Sequence, residues 1–201
     1  AAPMRWAWVA AALIISNLAT GYVVKKNSRP KIDPYSDMAH AMSDLSISDG
    51  RSVAIIGDSI TRRAKFPEQI CGLRVVNMGI AGARASAFIQ YAEEMRDRAL
   101  HTKLVVIALG SNDRDHDEFV ASMTMMLHRL PQTSLALATT FRKDAEINQT
   151  IRALSDRDGA TIIDMTGSGI RTDDGKHPSD DEQYRLWTLF MTQEIERILG
   201  C

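Results

Sequence analysis

The sequence has no useful excess of charge of either sign. Its 24 lysines and arginines are balanced by 25 aspartates and glutamates, so the formal net charge is -1 at pH 7. A protein that binds nucleic acid through its overall field needs a strongly basic face or chain. The composition therefore excludes nucleic acid as an expected partner, and any partner must be recognised by a local site. Internal repeats and low-complexity tracts are also absent from the sequence, which excludes a repeat architecture.

Cysteine is nearly absent. The only two cysteines, Cys71 and Cys201, are far apart in the chain, whereas zinc sites and dithiol redox motifs need paired or clustered cysteines. We expect two unpaired thiols, with Cys71 in or near the core and Cys201 at the chain end. A disulfide between them is the less favoured alternative. On this expectation the cysteines do not reveal the cellular compartment.

A long uncharged run occurs at the N-terminus. Residues 6–24 carry no charged side chain and are mostly apolar. A helix of roughly 20 residues crosses the hydrocarbon core of a bilayer. We expect residues 1–26 to form a membrane anchor or a signal segment, and an anchor is favoured because the sequence contains no convincing cleavage site. A buried helix is least favoured because the run has no polar face.

The charges that flank this run leave its orientation open. Lys25, Lys26, Arg29 and Lys31 follow the run, and only Arg5 precedes it, a bias that would keep the following domain in the cytoplasm. An exported domain would need the opposite bias. We expect a membrane-anchored or exported protein on the extracytoplasmic, periplasmic face, with the cytoplasmic face as the alternative.

Residues 27–50 have the composition of a tether, with prolines, several serines and aspartates, and a closing glycine. Within them Tyr35, Met38, Met42 and Leu45 lie at helical spacing. This spacing predicts a short amphipathic helix that lies on the domain or on the membrane. Residues 51–201 then form the folded domain.

Short apolar runs alternate with helical patterns from Arg51 onward. Five runs are typical of strands buried on both faces, at residues 53–56, 73–77, 104–109, 134–138 and 161–163. The alternation predicts an α/β fold of three layers, α/β/α, with a five-stranded parallel sheet and right-handed crossovers. A capping box predicts that the last helix begins after Ser179, with Glu182 reaching back to it. In such folds ligands bind beyond the carboxyl ends of the strands.

Polar motifs follow three of these strands and precede the last helix. They are GDSI at 57–60, NMGIAG at 77–82, GSND at 110–113 and DDGKH at 173–177. A serine on a strand-to-helix turn exposes its hydroxyl at the top of the sheet. Asp174 lies three residues before His177, so its carboxylate could hold one ring nitrogen while the other faces a serine. The other four histidines lie in the tether and in polar helical or loop contexts, and we expect them at the surface.

The order of these motifs resembles the SGNH branch of the GDSL esterases and lipases, over roughly residues 51–200. The resemblance implies a flavodoxin-like SGNH hydrolase fold, with Ser59 as nucleophile, His177 as base and Asp174 as the residue that orients it. It also implies an oxyanion hole made by the backbone N–H groups of Ser59 and Gly82 and by the side chain of Asn112. Gly79 is the rival for the glycine position. The implied chemistry needs no metal and no organic cofactor.

The resemblance implies a serine esterase that acts on a small acyl-ester substrate, such as a carbohydrate O-acetyl group or a short-chain lipid ester. The short connection after Ser59 predicts a shallow acyl site. One alternative is a membrane-associated O-acetyltransferase that modifies a glycan with acyl groups from a membrane partner, and a less favoured one is a non-catalytic binding module. Lys176 and Arg142 are candidates for meeting an anionic group at the mouth of the site, although solvated basic side chains are the more ordinary interpretation.

Overall fold

The five apolar runs form five adjacent strands of a six-stranded sheet. The computed structural model describes residues 34–141 and 145–201. Its strands are β1 (Ser52–Gly57), β2 (Gln69–Ile70), β3 (Leu73–Gly79), β4 (Leu104–Ala108), β5 (Ser134–Ala138) and β6 (Thr161–Ile163). Their spatial order is β2-β3-β1-β4-β5-β6, and every neighbouring pair is parallel except β2 with β3. The predicted five-stranded parallel sheet is confirmed, and the two-residue β2 adds an antiparallel edge.

Helices cover both faces of this sheet. They are α1 (Pro34–Ile47), α2 (Ser59–Arg63), α3 (Ile89–Asp97), α4 (His116–Arg129), α5 (Ala145–Asp158) and α6 (Asp181–Leu199), with 3₁₀ turns at Ala85–Phe88 and Met165–Gly167. Side chains alternate along β1, so Ala54 and Ile56 join one core while Val53 and Ile55 join the other. The first core contains side chains of α1, α3, α4 and α5, and the second contains side chains of α2 and α6. The three-layer architecture is therefore confirmed.

The strand order places a crevice where the polar motifs are. The chain passes from β1 to β3 on one side of β1, whereas β4 pairs with β1 on its other side. Loops that leave the carboxyl ends of β1 and β4 therefore run in opposite directions, and the gap between them is where ligands bind in doubly wound sheets. The GDSI and GSND motifs leave these two strand ends.

The helix predicted by the spacing of Met38, Met42 and Leu45 is present as α1. These three side chains are at most 2% exposed and belong to the first core of the domain. Asp44 also forms an ion pair with Arg74 of β3 at 2.8 Å. Residues 1–33, which include the predicted anchor and the first part of the tether, lie outside the described residues. In the part of the chain that the structure describes, none of the helices has the length and apolarity needed to cross a membrane.

The expectation of two unpaired thiols was wrong, because Cys71 and Cys201 form a disulfide with their Cα atoms 6.0 Å apart. Cys71 occupies the tight turn between β2 and β3 with a φ of 53°, and Cys201 follows the left-handed cap that Gly200 makes at the end of α6. The packing of α6 against the second core brings the two together. No local spacing signals a pair separated by 130 residues.

The predicted cap of the last helix was also wrong by one residue. The N-cap is Asp180, whose carboxylate accepts the backbone N–H of Gln183 at 2.8 Å. Ser179 instead belongs to the preceding loop, where its N–H donates to the carbonyl of Arg171 at 3.0 Å. Glu182 is bonded to Arg185 and does not reach back to a cap.

Candidate active site

Ser59 is the first residue of α2 and is separated from the end of β1 by a single residue, Asp58. Asp58 caps this helix, and its Oδ1 accepts the backbone N–H of Ile60 at 2.9 Å. The turn is so tight that a Cβ on Gly57 would lie 1.9 Å from the hydroxyl oxygen of Thr61. Only glycine fits there, and the sharp turn holds the half-buried Ser59 at the carboxyl edge of the sheet.

His177 meets Ser59 from the loop that precedes α6. The Nε2 atom of His177 lies 2.9 Å from the hydroxyl oxygen of Ser59, although the residues are 118 positions apart. A bridge between Thr172 and Pro178 closes the base of this loop. The structure therefore brings the predicted base and the predicted nucleophile within hydrogen-bond distance.

Asp174 holds the other side of the imidazole ring. Its Oδ2 lies 2.7 Å from Nδ1 of His177, and its Oδ1 accepts the backbone N–H groups of Lys176 at 2.9 Å and of His177 at 2.7 Å. The hydrogen bond from the His177 ring, followed by those from the two N–H groups, holds the pKa of Asp174 well below its ordinary value. An ionised Asp174 accepts a hydrogen bond from Nδ1–H of His177, which leaves the lone pair of Nε2 facing Ser59.

The two glycines of the NMGIAG motif have different surroundings. Gly79 ends β3, where its N–H donates to the side-chain oxygen of Asn77 at 2.9 Å, and a Cβ there would lie 2.3 Å from the Arg62 nitrogen. Gly79 therefore permits the close packing of α2 on β3. Gly82 is exposed, has a φ of 73° and lines the cleft together with Asn112. This geometry favours Gly82 for the oxyanion position.

Asn112 is held by three groups of the protein. Its amide nitrogen donates to the carbonyl of Ala83 at 2.9 Å and to Oδ2 of Asp58 at 3.3 Å. Its side-chain oxygen accepts a hydrogen bond from the ammonium group of Lys176. Because acceptors surround the nitrogen and a cation faces the oxygen, the partners fix the orientation of the amide.

Two buried carboxyl groups lie behind the site. Asp58 is 1% exposed and Asp113 is 4% exposed. Burial is the main cause that raises the pKa of each carboxyl group above its ordinary value. Oδ1 of Asp113 accepts the N–H of Ala85 at 3.1 Å, so it joins the loop of Asn112 to the loop of Gly82. The sequence interpretation missed this role of Asp113, and the only signal for it was its place in the GSND motif.

A polar cleft of about 770 Å³ opens beside Asp174 and Asn112, which are among its lining residues. Glycine apart, its lining side chains are all polar or charged: Arg84, Ser111, Asn112, Asp113, Arg114, Asp174 and Lys176. Lys176 thus lines the cleft, which is the less favoured of the two interpretations that the sequence left open for it. Arg142, the other basic candidate, lies outside the described residues.

No family model matches the sequence, and a comparison with curated proteins found no match. Solved structures do match it. The chain is similar to Est24, a carbohydrate acetylesterase from Sinorhizobium meliloti, at 18% identity and a TM-score of 0.53, over 74% of this chain and 99% of that chain. It is similar to the C-terminal catalytic domain of peptidoglycan O-acetyltransferase A (OatA) from Streptococcus pneumoniae, at 17% identity and a TM-score of 0.56, over 75% and 96% of the two chains.

A third structure of the same fold is a putative arylesterase from Agrobacterium tumefaciens, at 17% identity and a TM-score of 0.51, with 74% of this chain and 99% of that chain covered. Likeness at these identities establishes the fold and leaves the activity to the site. The fold that the order of the motifs implies, that of the SGNH branch of the GDSL hydrolases, is the fold of this chain.

Proposed function

We propose that the chain is a serine-dependent acyl-ester hydrolase that removes small acyl groups, above all acetyl, from carbohydrate esters. The observation that carries the proposal is the hydrogen-bonded series from the hydroxyl of Ser59 through the His177 ring to the Asp174 carboxylate. Structures of the same fold include carbohydrate acetylesterases, which supports the choice of ester.

The first step is attack of the Ser59 hydroxyl oxygen on the ester carbonyl carbon. Nε2 of His177 lies 2.9 Å away and takes the hydroxyl proton as the new C–O bond forms. The resulting imidazolium is stabilised by the ionised Asp174, whose low pKa keeps it charged at neutral pH. His177 then gives the proton to the leaving alcohol, and an acyl-enzyme remains on Ser59.

The oxyanion formed in this step needs hydrogen-bond donors at the carbonyl oxygen. We assign this role to the N–H groups of Ser59 and Gly82 and to the amide of Asn112. Both hydrogens of that amide face protein acceptors, and the contact to Asp58 is the longer one at 3.3 Å. The oxyanion would replace this weaker contact, so that donation to substrate strengthens as negative charge develops.

Water completes the reaction in the second step. His177 takes a proton from a water molecule, the hydroxide attacks the acyl carbon, and the Ser59 oxygen leaves with the proton that His177 returns. The cleft beside the triad is lined by polar and charged side chains, which suits an alcohol rich in hydroxyl groups. This lining favours a sugar ester over a long-chain lipid ester.

A second candidate is an O-acetyltransferase, in which a sugar hydroxyl takes the place of water in the second step. Similarity to the catalytic domain of a peptidoglycan O-acetyltransferase favours it. Such an enzyme would receive acyl groups from a membrane partner, and the predicted anchor would keep it beside that partner. Product analysis separates the two, because a transferase forms a new sugar ester at the expense of free acetate.

We further propose an extracytoplasmic location. The disulfide between Cys71 and Cys201 supports it, because disulfides form and persist in oxidising compartments and are rare in the cytosol. Labelling intact cells with a membrane-impermeant reagent that modifies exposed lysines tests this location. Protection of the protein until the cells are lysed would contradict it.

The experiment that tests the function is a panel of acyl esters, varied in chain length and alcohol, with the full chain in detergent. We expect hydrolysis of short acyl esters, loss of hydrolysis in the Ser59→Ala variant, and labelling of Ser59 by a fluorophosphonate probe. Equal rates in wild type and Ser59→Ala would overturn the proposal. Absence of both hydrolysis and labelling would favour a non-catalytic binding module.

A further inference from the structure

We propose that the cleft beside the triad binds an anionic group of the substrate, so that the preferred ester is carried by a carboxylated or phosphorylated sugar. The inference rests on the proposed function and specifies its substrate. Three cationic side chains line the cleft, those of Arg84, Arg114 and Lys176. The chain as a whole has a net charge of -1, so this cluster is a local feature.

The carboxylates that line the cleft do not cancel these cations. Asp174 is hydrogen-bonded to the His177 ring at 2.7 Å and to two backbone N–H groups, so these donors already compensate its charge. Asp113 is only 4% exposed, and its Oδ1 accepts the N–H of Ala85 at 3.1 Å, so little of this carboxyl group is accessible from the cleft. Glu118 lies at 3.5 Å from Arg84 and offsets part of one cation. Cationic side chains in the lining therefore outnumber carboxylates by three to two.

The backbone places two of these cations next to the proposed oxyanion hole. Arg84 is two residues after Gly82, and Arg114 is two residues after Asn112. The hydrogen bond from the N–H of Ala85 to Asp113, at 3.1 Å, joins the two loops at the positions adjacent to both arginines. The two arginines therefore adjoin one fixed contact in the chain, and both line the same cleft.

Guanidinium groups are suited to this task because their planar donors match the oxygens of carboxylates and phosphates. Arg84 is about half exposed, at 48% of its side chain, and Arg114 is also exposed. Their attraction for an anion is therefore partly screened by salt. Hydrogen bonds to charged groups at such a site correspond to a preference on the order of tenfold.

The test compares three esters acetylated at the same hydroxyl: a neutral methyl glucoside, a methyl glucuronoside and a glucose 6-phosphate. We expect the full-length enzyme to favour the anionic esters about tenfold in kcat/KM, mainly through KM, and to lose this preference as salt is raised. The larger of the two anionic rates identifies carboxylate or phosphate as the group. The Arg84→Gln/Arg114→Gln double variant should abolish the preference.

Arg197→Gln is the matched control. Arg197 is 57% exposed, is ion-paired with Glu194, and lies in the last turn of α6, away from the edge of the sheet that carries Ser59. This variant should keep the full preference. Equal kcat/KM for neutral and anionic esters in the wild type, or an unchanged preference in the double variant, would overturn the inference.

Calorimetric binding to the Ser59→Ala protein separates this inference from the proposed function. Tighter binding of the glucuronoside or the phosphate than of the glucoside supports the anionic site even if wild-type protein hydrolyses none of the esters. Hydrolysis of all three esters at equal efficiency supports the esterase and overturns the anionic site.

Discussion

The ammonium group of Lys176 donates a hydrogen bond to the side-chain oxygen of Asn112, 64 residues away. Lys176 directly precedes His177, so this contact joins the histidine loop to the amide that we assign to the oxyanion hole. A cation on the amide oxygen fixes its orientation and polarises it, which makes the N–H groups stronger donors. The loop that carries His177, the proposed base, thus also positions Asn112, the proposed oxyanion donor.

Replacing this lysine should slow turnover. We expect Lys176→Met to lower kcat about tenfold on p-nitrophenyl acetate, a neutral ester, with little change in KM, because the loss falls on the transition state. Lys176→Arg should restore much of kcat, since a guanidinium can donate to the same oxygen. Steady-state kinetics on p-nitrophenyl acetate give kcat and KM for each variant. A rise in KM with kcat unchanged would show that Lys176 serves substrate binding alone.

Removing the amide itself should cost more. We expect Asn112→Ala to lower kcat by about 10²–10³ while the protein stays folded. Ser59→Ala should remove on the order of 10⁶ in the same assay, as the loss of a nucleophile does in a serine triad. The exposed Gln90, which lies on α3, supplies a control, because Gln90→Ala should leave the rate unchanged. A loss below tenfold in Asn112→Ala would remove this side chain from the oxyanion hole.

Substitutions of Asp113 test whether its hydrogen bond with Ala85 aligns the loop of Gly82 with the loop of Asn112. Asp113→Ala removes the acceptor for the N–H of Ala85, so we expect roughly 1 kcal/mol less stability and a lower kcat as Gly82 and Asn112 lose their alignment. Asp113→Asn keeps an oxygen at that place and should retain most of the activity. If the two variants have equal rates, the hydrogen bond does not align the loops.

The same carboxyl has a defined effect on pH dependence. Burial raises its pKa above the ordinary 3.8, so the stability that its protonated form provides is present below pH 3.8 and is lost as pH rises through the raised value. Asparagine stays neutral throughout. The free energy of unfolding of Asp113→Asn relative to wild type should therefore increase as the pH is raised above 3.8, as measured by denaturant titration, and a flat difference would contradict this account.

Asp164 should show the opposite pH dependence. Hydrogen bonds from the Thr166 hydroxyl and from Arg152 lower the pKa of Asp164 to about 2, and the carboxylate also accepts the Thr166 N–H. The resulting stability is present above pH 3.8 and is lost as pH falls towards 2. Both charged side chains are more than a third exposed, so we expect Asp164→Asn to cost roughly 1 kcal/mol or less at pH 7 and progressively less as the pH falls through about 2. A cost independent of pH would assign the effect to packing.

The disulfide should contribute to stability and leave catalysis unchanged. A Cys71→Ser/Cys201→Ser variant is expected to lose about 2–4 kcal/mol of unfolding free energy, because the crosslink restricts a long loop of the unfolded chain. Cys71 lies before the start of β3, at the edge of the sheet opposite to Ser59, so the kcat of the folded variant should match wild type. Thermal unfolding with and without a reductant gives the comparison, and equal transition temperatures would contradict the expectation.

Local sequence was sufficient for most of the fold. Five strands are apolar runs that can be recognised from the sequence alone: β1, β3, β4, β5 and β6. The sixth strand, β2, has only two residues and exists through its antiparallel pairing with β3. The sequence motifs also singled out Ser59, Asp174 and His177, and the structure brings these three side chains into one hydrogen-bonded series.

What the sequence did not reveal depends on how separate loops meet. The contact of Lys176 with Asn112, the link from Asp113 to Ala85 and the bond between Cys71 and Cys201 each join segments that share no periodicity. The error in the predicted cap of α6 has a local cause, because Ser179 and Asp180 are adjacent and both residue types are good caps. The N–H of Ser179 donates to the carbonyl of Arg171 in the preceding loop, and Asp180 caps the helix.

The burial of α1 defines where a shortened enzyme has to begin. Met38, Met42 and Leu45 complete one side of the sheet, so a chain that started at Arg51 would leave the apolar surface beneath them open to water. Such patches promote self-association. A shortened chain without the N-terminal apolar run therefore requires a first residue upstream of Pro34. A cut at Arg51 would also remove that run, but it would expose the apolar surface that α1 covers.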